Sequence, residues 1–286
     1  MLCKSAAIGL AAVGLSLGLA HSAQADVVLP ATNLGFNMYN AGSSFTTSPI
    51  YTPKDYFTDV NPTGWSVGPG ASGNGNLIYV GQQGSEGVAG SRPGSNVYAV
   101  YGTFSNTVPA GTNFYQADGN PEYESTILET ISGLTAGTTY DLSFQQAAGQ
   151  QVGFSGPTTE QWKVFLGVGG IGVDCSSSPC TVTGTTHNLE EDSTLMNTPS
   201  QGNTDWNLVN LSFTPTAADL HNGSAVLTFL AWGDGGNTFN EPPTVFLEGV
   251  NTPRVPEPAS LSLLGFGLLG LGRIMRRRRA NGTTPV

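Results

Sequence analysis

Between Asp26 and Val255 the apolar residues recur at every second position over short runs. No stretch of useful length holds the 3.6-residue period of an amphipathic helix. Alternation of this kind gives a strand one buried face and one outward face. Tyr140, Leu142 and Phe144 alternate with Asp141, Ser143 and Gln145, and Trp162, Val164 and Leu166 with Lys163 and Phe165. Val209, Leu211 and Phe213 alternate with Asn210 and Ser212, and Val245 and Leu247 with Phe246 and Glu248. Ala225 to Trp232 is apolar on both faces apart from Thr228, the pattern of a central strand. Ile127 and Ile131 share one face of the run Ser125 to Ile131, and weaker runs at Trp65 to Val67, Leu77 to Val80 and Asn96 to Tyr101 bring the count to about eight or nine. Gly133 and Gly137 stand where a tight connection needs positive φ, which predicts a hairpin between Ser125–Ile131 and Tyr140–Gln145. The run Gly68 to Asn76 is too rich in glycine for a helix and reads as an exposed loop. Many short strands, glycine and proline turns and no crossover helix predict an all-β fold, an antiparallel β-sandwich, as one domain over residues 26–255 without internal repeats.

The two ends carry different chemistry. Residues 1–25 read as a secretory signal peptide: Lys4 is the positive start, Ala6 to Ala20 is uncharged and apolar, and Ala23-Gln24-Ala25 precedes a cleavage point before Asp26. At the other end Pro256-Glu257-Pro258 leads into the apolar run Ala259 to Gly272, closed by Arg273 and the cluster Arg276, Arg277, Arg278 and Arg279. Arginines that flank a span stay in the cytoplasm, so the body before it lies outside. A run of 14 residues is short for a bilayer, which calls for about 20, and suits a transient stay in the inner membrane.

Pro-Glu-Pro, an apolar helix and an arginine cluster, in that order over residues 256–280 and with a cytoplasmic tip at 281–286, resemble the PEP-CTERM sorting signal of Gram-negative bacteria. The resemblance implies export, recognition by an exosortase that removes the tail near Pro256 to Pro258, and association with exopolysaccharide and biofilm matrix at the cell surface. The same tail is also known by an ice-binding C-terminal label. The body is similar to jelly-roll domains of the carbohydrate-binding-module and galactose-binding-like type. Asn33-Leu-Gly-Phe-Asn37, Gly64-Trp65, the run Gly133 to Tyr140 and the closing strand Val245 to Val250 follow their order. In those relatives a Glu in the first motif and an Asp in the last strand help hold a structural calcium; here the positions fall on Asn37 and Glu248.

Charge narrows the function. Lys54, Arg92, Lys163 and Arg254 are the only cations between residues 26 and 255, against 19 carboxylates. A nucleic-acid binder displaces counterions from phosphates with lysine and arginine, so that class is excluded. Cys175 and Cys180 are the only cysteines left after signal removal, and in an oxidising compartment their spacing predicts a disulfide. Gly64-Trp-Ser66-Val-Gly68 matches a nucleophile-elbow pattern but lacks the helix that such an elbow needs behind it. His187 and His221 read as loop residues, with no third ligand at zinc spacing. Oxygen-rich calcium candidates are Asp118, Asn120 and Glu122, and Asp234 with Asn237, besides Glu248. Glu122, Glu124 and Glu129 form the carboxylate group that a glycoside-acting enzyme would need. Trp65, Trp162, Trp206 and Trp232 lie on or near strands, as core residues or as stacking surfaces for sugars.

The reading that follows is an exported, exosortase-processed surface or matrix protein whose β-sandwich acts without catalysis, by binding glycan or as matrix material. The alternatives are an extracellular glycoside-acting enzyme built on the Glu122–Glu129 region and, more remotely, an ice-binding protein. No cofactor other than calcium is called for.

Overall fold

A computed structural model describes residues 27–32, 36, 62–68, 78–82, 99–102, 104, 113–237 and 243–251. Residues 1–26, Asn37, most of the Gly68 to Asn76 run and the whole tail after Asn251 lie outside these residues. The described chain is all β, apart from three one-turn helices at Pro121–Tyr123, Ala217–Asp219 and Asp234–Gly236.

Two six-stranded sheets face each other. The first carries β1 (Val27–Val28), β3 (Ile78–Gln82), β4 (Asn113–Asp118), β6 (Tyr140–Gln150), β12 (Asn203–Phe213) and β14 (Pro243–Asn251). Its order runs β12, β6, β14, β4, β3, with β1 joining β6 in parallel. The second carries β2 (Trp65–Val67), β5 (Thr126–Ser132), β7 (Thr158–Gly167), β10 (Asn188–Asp192), β11 (Met196–Thr198) and β13 (Ser224–Gly233). Its order is β10, β7, β13, β5, β2, and β11 also pairs with β7. A small hairpin of β8 (Gly172–Asp174) and β9 (Thr181–Thr183) stands apart.

The period-two residues meet between the sheets. Tyr115, Leu142, Phe144, Val209, Leu211, Val245 and Leu247 come from the first sheet, and Ile127, Ile131, Trp162, Val164, Leu227 and Phe229 from the second, in one buried cluster. Trp162 and Phe229 cross edge to face at 6.0 Å, and Phe144 meets the same Phe229 at 5.2 Å. The Trp162 indole N–H donates to the Phe246 carbonyl at 3.1 Å, so a polar atom at the centre is satisfied across the two sheets.

Two expectations need correction. β5 and β6 do not form a hairpin: β5 pairs with β13 and β2, while β6 pairs with β12, β14 and β1. Ile127 and Ile131 look into the core from one side and Tyr140, Leu142 and Phe144 from the other, so the connection must cross between layers. Gly133 and Gly137 do hold positive φ, at 83° and 79°, but in an arch whose amides are taken by other loops, Leu134 N–H by Gly223 and Gly137 N–H by Pro215. The run at Asn96 to Tyr101 yields, among the described residues, a single bridge from Val100 to Gln151.

Candidate functional site

Each sheet also has an outer face, and the two differ. On the second sheet Phe165, Leu230 and Trp232 project outward and pack under Ile171 and Cys180, with Val173, Cys175 and Val182 at the margin. The cover is the β8–β9 hairpin, whose tip is closed by the Cys175–Cys180 disulfide. Cys180 N–H donates to the Gly236 carbonyl at 2.7 Å, and the Glu124 carboxylate receives a backbone hydrogen bond from Val173, so the hairpin is tied down at both strands. Beside it the Lys163 ammonium lies 5.8 Å from the Trp232 ring centre and pairs with Glu190 at 2.8 Å and Asp192 at 3.1 Å. This face is sealed by apolar contact.

On the first sheet the alternation of β14 sends Val245 and Leu247 inward and Thr244, Phe246 and Glu248 outward. Phe246 is flanked by Gln116 of β4 and Ala147 of β6, and Glu248 by Phe114 and Gln145. Phe114, Ala147, Trp206, Phe246 and Val100 make a second apolar cluster, with Phe104 against it. Phe246 is its hub, with ring centres of Phe104, Phe114 and Trp206 at 5.2, 5.6 and 6.0 Å. Alongside this wall runs a polar strip. Glu248 and Ser143 are buried in it, Gln145 is half-buried, and Leu208 and Asn210 on the edge strand opposite Gln145 and Ser143 are exposed. The amides of the half-buried Gln145 and the exposed Asn210 can donate to and accept from hydroxyls of one ligand, while Glu248, Ser143 and the aromatic wall are buried beside them.

The carboxylates singled out in the sequence go to separate posts. Glu122 sits in the one-turn helix, not on a strand, and its N–H is held by the Asn120 side chain at 3.0 Å. Glu124 has left-handed backbone, φ 44°, and serves the β8–β9 hairpin. Glu129 points into the core beside Ile127 and Ile131, where it accepts from the Thr32 N–H at 2.8 Å and from the Thr32 hydroxyl. The Trp65 indole in turn donates to the Thr32 carbonyl at 3.0 Å, which latches the N-terminal segment to the second sheet. Glu124 and Glu129 therefore do not face each other as a glycosidase pair would. The parity of the strand decides this: Glu129 falls on the inward positions.

The calcium candidates are likewise engaged. Asp118 accepts from the Asn120 N–H at 2.7 Å and Asn120 caps the helix, a ladder of local turns. Asp234 accepts from Thr159 N–H at 3.0 Å, and Asn237 donates to the Asp234 carbonyl at 2.6 Å. Glu248 lies on the outer face of the other sheet's partner layer, and no three acidic, histidine or cysteine side chains gather among the described residues. Burial pushes the Asp118 carboxyl up to about 7, against a partial pull from the Asn120 N–H. Glu160, which sequence reasoning missed, is raised to about 7 by burial at the end of the core; Thr198 and Thr158 hydroxyls oppose the shift and the charge of Asp234 adds to it. Its signal was visible in the parity of β7, since Glu160 shares the inward face of Trp162 and Val164. Ser66 lies within β2, and the residues from 69 on that an elbow helix would occupy lie outside the described residues; His187 and His221 are exposed. Trp65 and Trp162 are in the main core, whereas Trp206 and Trp232 stand on opposite outer faces.

The fold and its two unlike faces define a β-sandwich module with one sealed side and one mixed aromatic and polar side. Residues 254–279 match the PEP-CTERM protein-sorting motif, which marks the chain for export to the cell surface by membrane-anchored sorting in a Gram-negative bacterium. No curated protein matches the sequence. Solved structures the chain is similar to include the enzymatically active domain of tailspike protein 4 of bacteriophage CBA120, with 8% identity and TM-score 0.32, covering 65% of this chain and 19% of that one. The chain thus spans about a fifth of that protein. They also include the CBM22-2 xylan-binding domain of Paenibacillus barcinonensis Xyn10C, with 11% identity, TM-score 0.33 and coverage of 67% and 92%. A third is the Fisc cyclase of Fischerella sp. TAU, with 15% identity, TM-score 0.38 and coverage of 79% and 99%.

Proposed function

We propose that the mature body, residues 26–255 after removal of the signal at Ala25 and of the tail near Pro256 to Pro258, is a non-catalytic glycan-binding component of the cell surface or matrix. Its site is the outer face of the first sheet, and its ligand class is a polyhydroxylated polymer such as the host's exopolysaccharide. One observation carries this reading. On that face the half-buried Gln145 and the exposed Leu208 and Asn210 adjoin Gln116, Ser143 and Glu248, buried beside the aromatic wall, whereas the corresponding face of the second sheet is apolar and closed by a hairpin. Among the described residues calcium has no gathered ligand set to support it, and the proposal does not include it.

Affinity electrophoresis of the mature protein in gels containing the host exopolysaccharide tests it. Retardation is expected, and Gln145→Ala should weaken it without changing the unfolding midpoint. Unretarded migration in every glycan tried would refute binding and favour a purely structural role. Release of reducing ends that Glu122→Gln or Glu124→Gln abolishes would overturn the non-catalytic reading.

A further inference from the structure

Both ends of the described body leave from one pole. Val27 pairs with Tyr140 at the start of β6, and Asn251, the last residue of β14, pairs with Ser143. The exits toward the signal peptide and toward the sorting tail are thus three positions apart along one strand. The residues 252–255 are all that separate β14 from Pro256, and fully extended they reach at most about 14 Å. A membrane that holds the tail therefore holds this pole of the sandwich against its surface. β6 has 11 residues, so at about 3.3 Å per residue the opposite pole stands roughly 35 Å away.

The chemistry of the two poles agrees with such a placement. At the pole of the exits lie the connections 133–139, 214–223, 168–171 and 184–187. Among these described residues the one carboxylate is Asp219, buried and held by the Thr216 N–H and hydroxyl at 2.8 and 2.7 Å. Their exposed positions are glycine, alanine, threonine, Val168, Asn222, His187 and His221. The opposite pole carries the exposed Asp174 and the half-buried Glu122 and Asp234, besides the buried Asp118 and Glu124. An acidic body is repelled by an anionic bilayer, and less so through the described connections at this end, which carry no exposed carboxylate.

We infer that the pole formed by the 133–139 and 214–223 connections is the surface the body presents to the lipid headgroups while the tail is embedded. The strands then stand off the membrane and the acidic pole points away from it. This rests on 254–279 being a membrane-inserted sorting signal.

The test uses the chain from Asp26 to Val286 in vesicles of phosphatidylethanolamine and phosphatidylglycerol that contain a headgroup-nitroxide lipid. Fluorophores are placed at Ala136→Cys or Ala218→Cys on one pole and at Ser155→Cys on the other, all exposed positions. Quenching should be several-fold stronger at positions 136 and 218 than at 155. A flexible insert of about 20 Gly and Ser residues after Asn251, long enough to free the body, should reduce that difference. Equal quenching at both poles in protein that floats with the vesicles would overturn the orientation alone. Protein that does not float would overturn the sorting reading and the orientation with it.

Discussion

The outer faces of the two sheets start from the same strand pattern and end in different states. On the second sheet the outward residues of β7 and β13 include Phe165, Leu230 and Trp232, and the chain spends a disulfide-closed hairpin to cover them. On the first sheet the outward residues of β4, β6 and β14 mix Phe114 and Phe246 with Gln116, Ser143, Gln145 and Glu248. Burying a carboxylate or an amide on a sheet face lowers stability unless each polar group is matched. The first face keeps Gln116, Ser143 and Glu248 buried among polar neighbours and leads through Gln145 to the exposed Asn210, while the second face is arranged for apolar packing.

Removing the hub of the aromatic wall should break the comparison most strongly. Phe246→Ala is expected to destabilise the sandwich by about 3–5 kcal/mol in urea unfolding, because Phe104, Phe114 and Trp206 all pack on that ring. A loss near that of an exposed residue would mean the wall is loosely packed.

The buried carboxylates give the next effect, and its sign is unusual. Asp118 and Glu160 titrate near 7 in the fold against ordinary values of 3.8 and 4.5, so the folded chain holds these protons more tightly than the unfolded chain. Their stabilising contribution is complete below about pH 4, is lost as pH rises to about 7, and stays lost above it. The melting temperature should therefore fall between pH 4 and 7, and above pH 7 Glu160→Gln should stabilise the fold by an amount on the order of 1–3 kcal/mol. A midpoint that climbs over that range would contradict this. Cys175→Ser should cost about 2 kcal/mol, the loop being short, and leave glycan retardation unchanged. Smaller still is Gln145→Ala, expected to weaken ligand binding about tenfold with little change in stability.

Much of the architecture was legible in the sequence because burial on one face leaves a period of two. Tyr140 to Phe144, Val209 to Phe213 and the doubly apolar Ala225 to Trp232 are found where that period puts them. Layer assignment was not legible. The glycines at 133 and 137 serve a hairpin or an arch equally well, and only the partners of β5 and β6 distinguish the two. Short strands such as Met196–Thr198 carry too few residues to show a period. The polar face was hidden for a related reason: Gln145 and Glu248 read as ordinary outward residues until pairing set them beside Phe114 and each other. Carboxylate count misled in the opposite direction, since Glu122, Glu124 and Glu129 are close in sequence yet serve a helix turn, a hairpin and an N-terminal latch.

Trp206 and Trp232 offer a matched pair of reporters, one on each outer face and nearly equal in exposure, at 6% and 8%. Nitrogen-15 spectra resolve their indole N–H signals, and titrating the mature protein with oligosaccharides of the host exopolysaccharide tests the central claim directly. The Trp206 signal and the Gln145 side-chain amide should shift together on a single saturation curve while Trp232 stays in place. A shift of Trp232 with Trp206 unmoved, or no shift of either, would contradict recognition by the face of the first sheet.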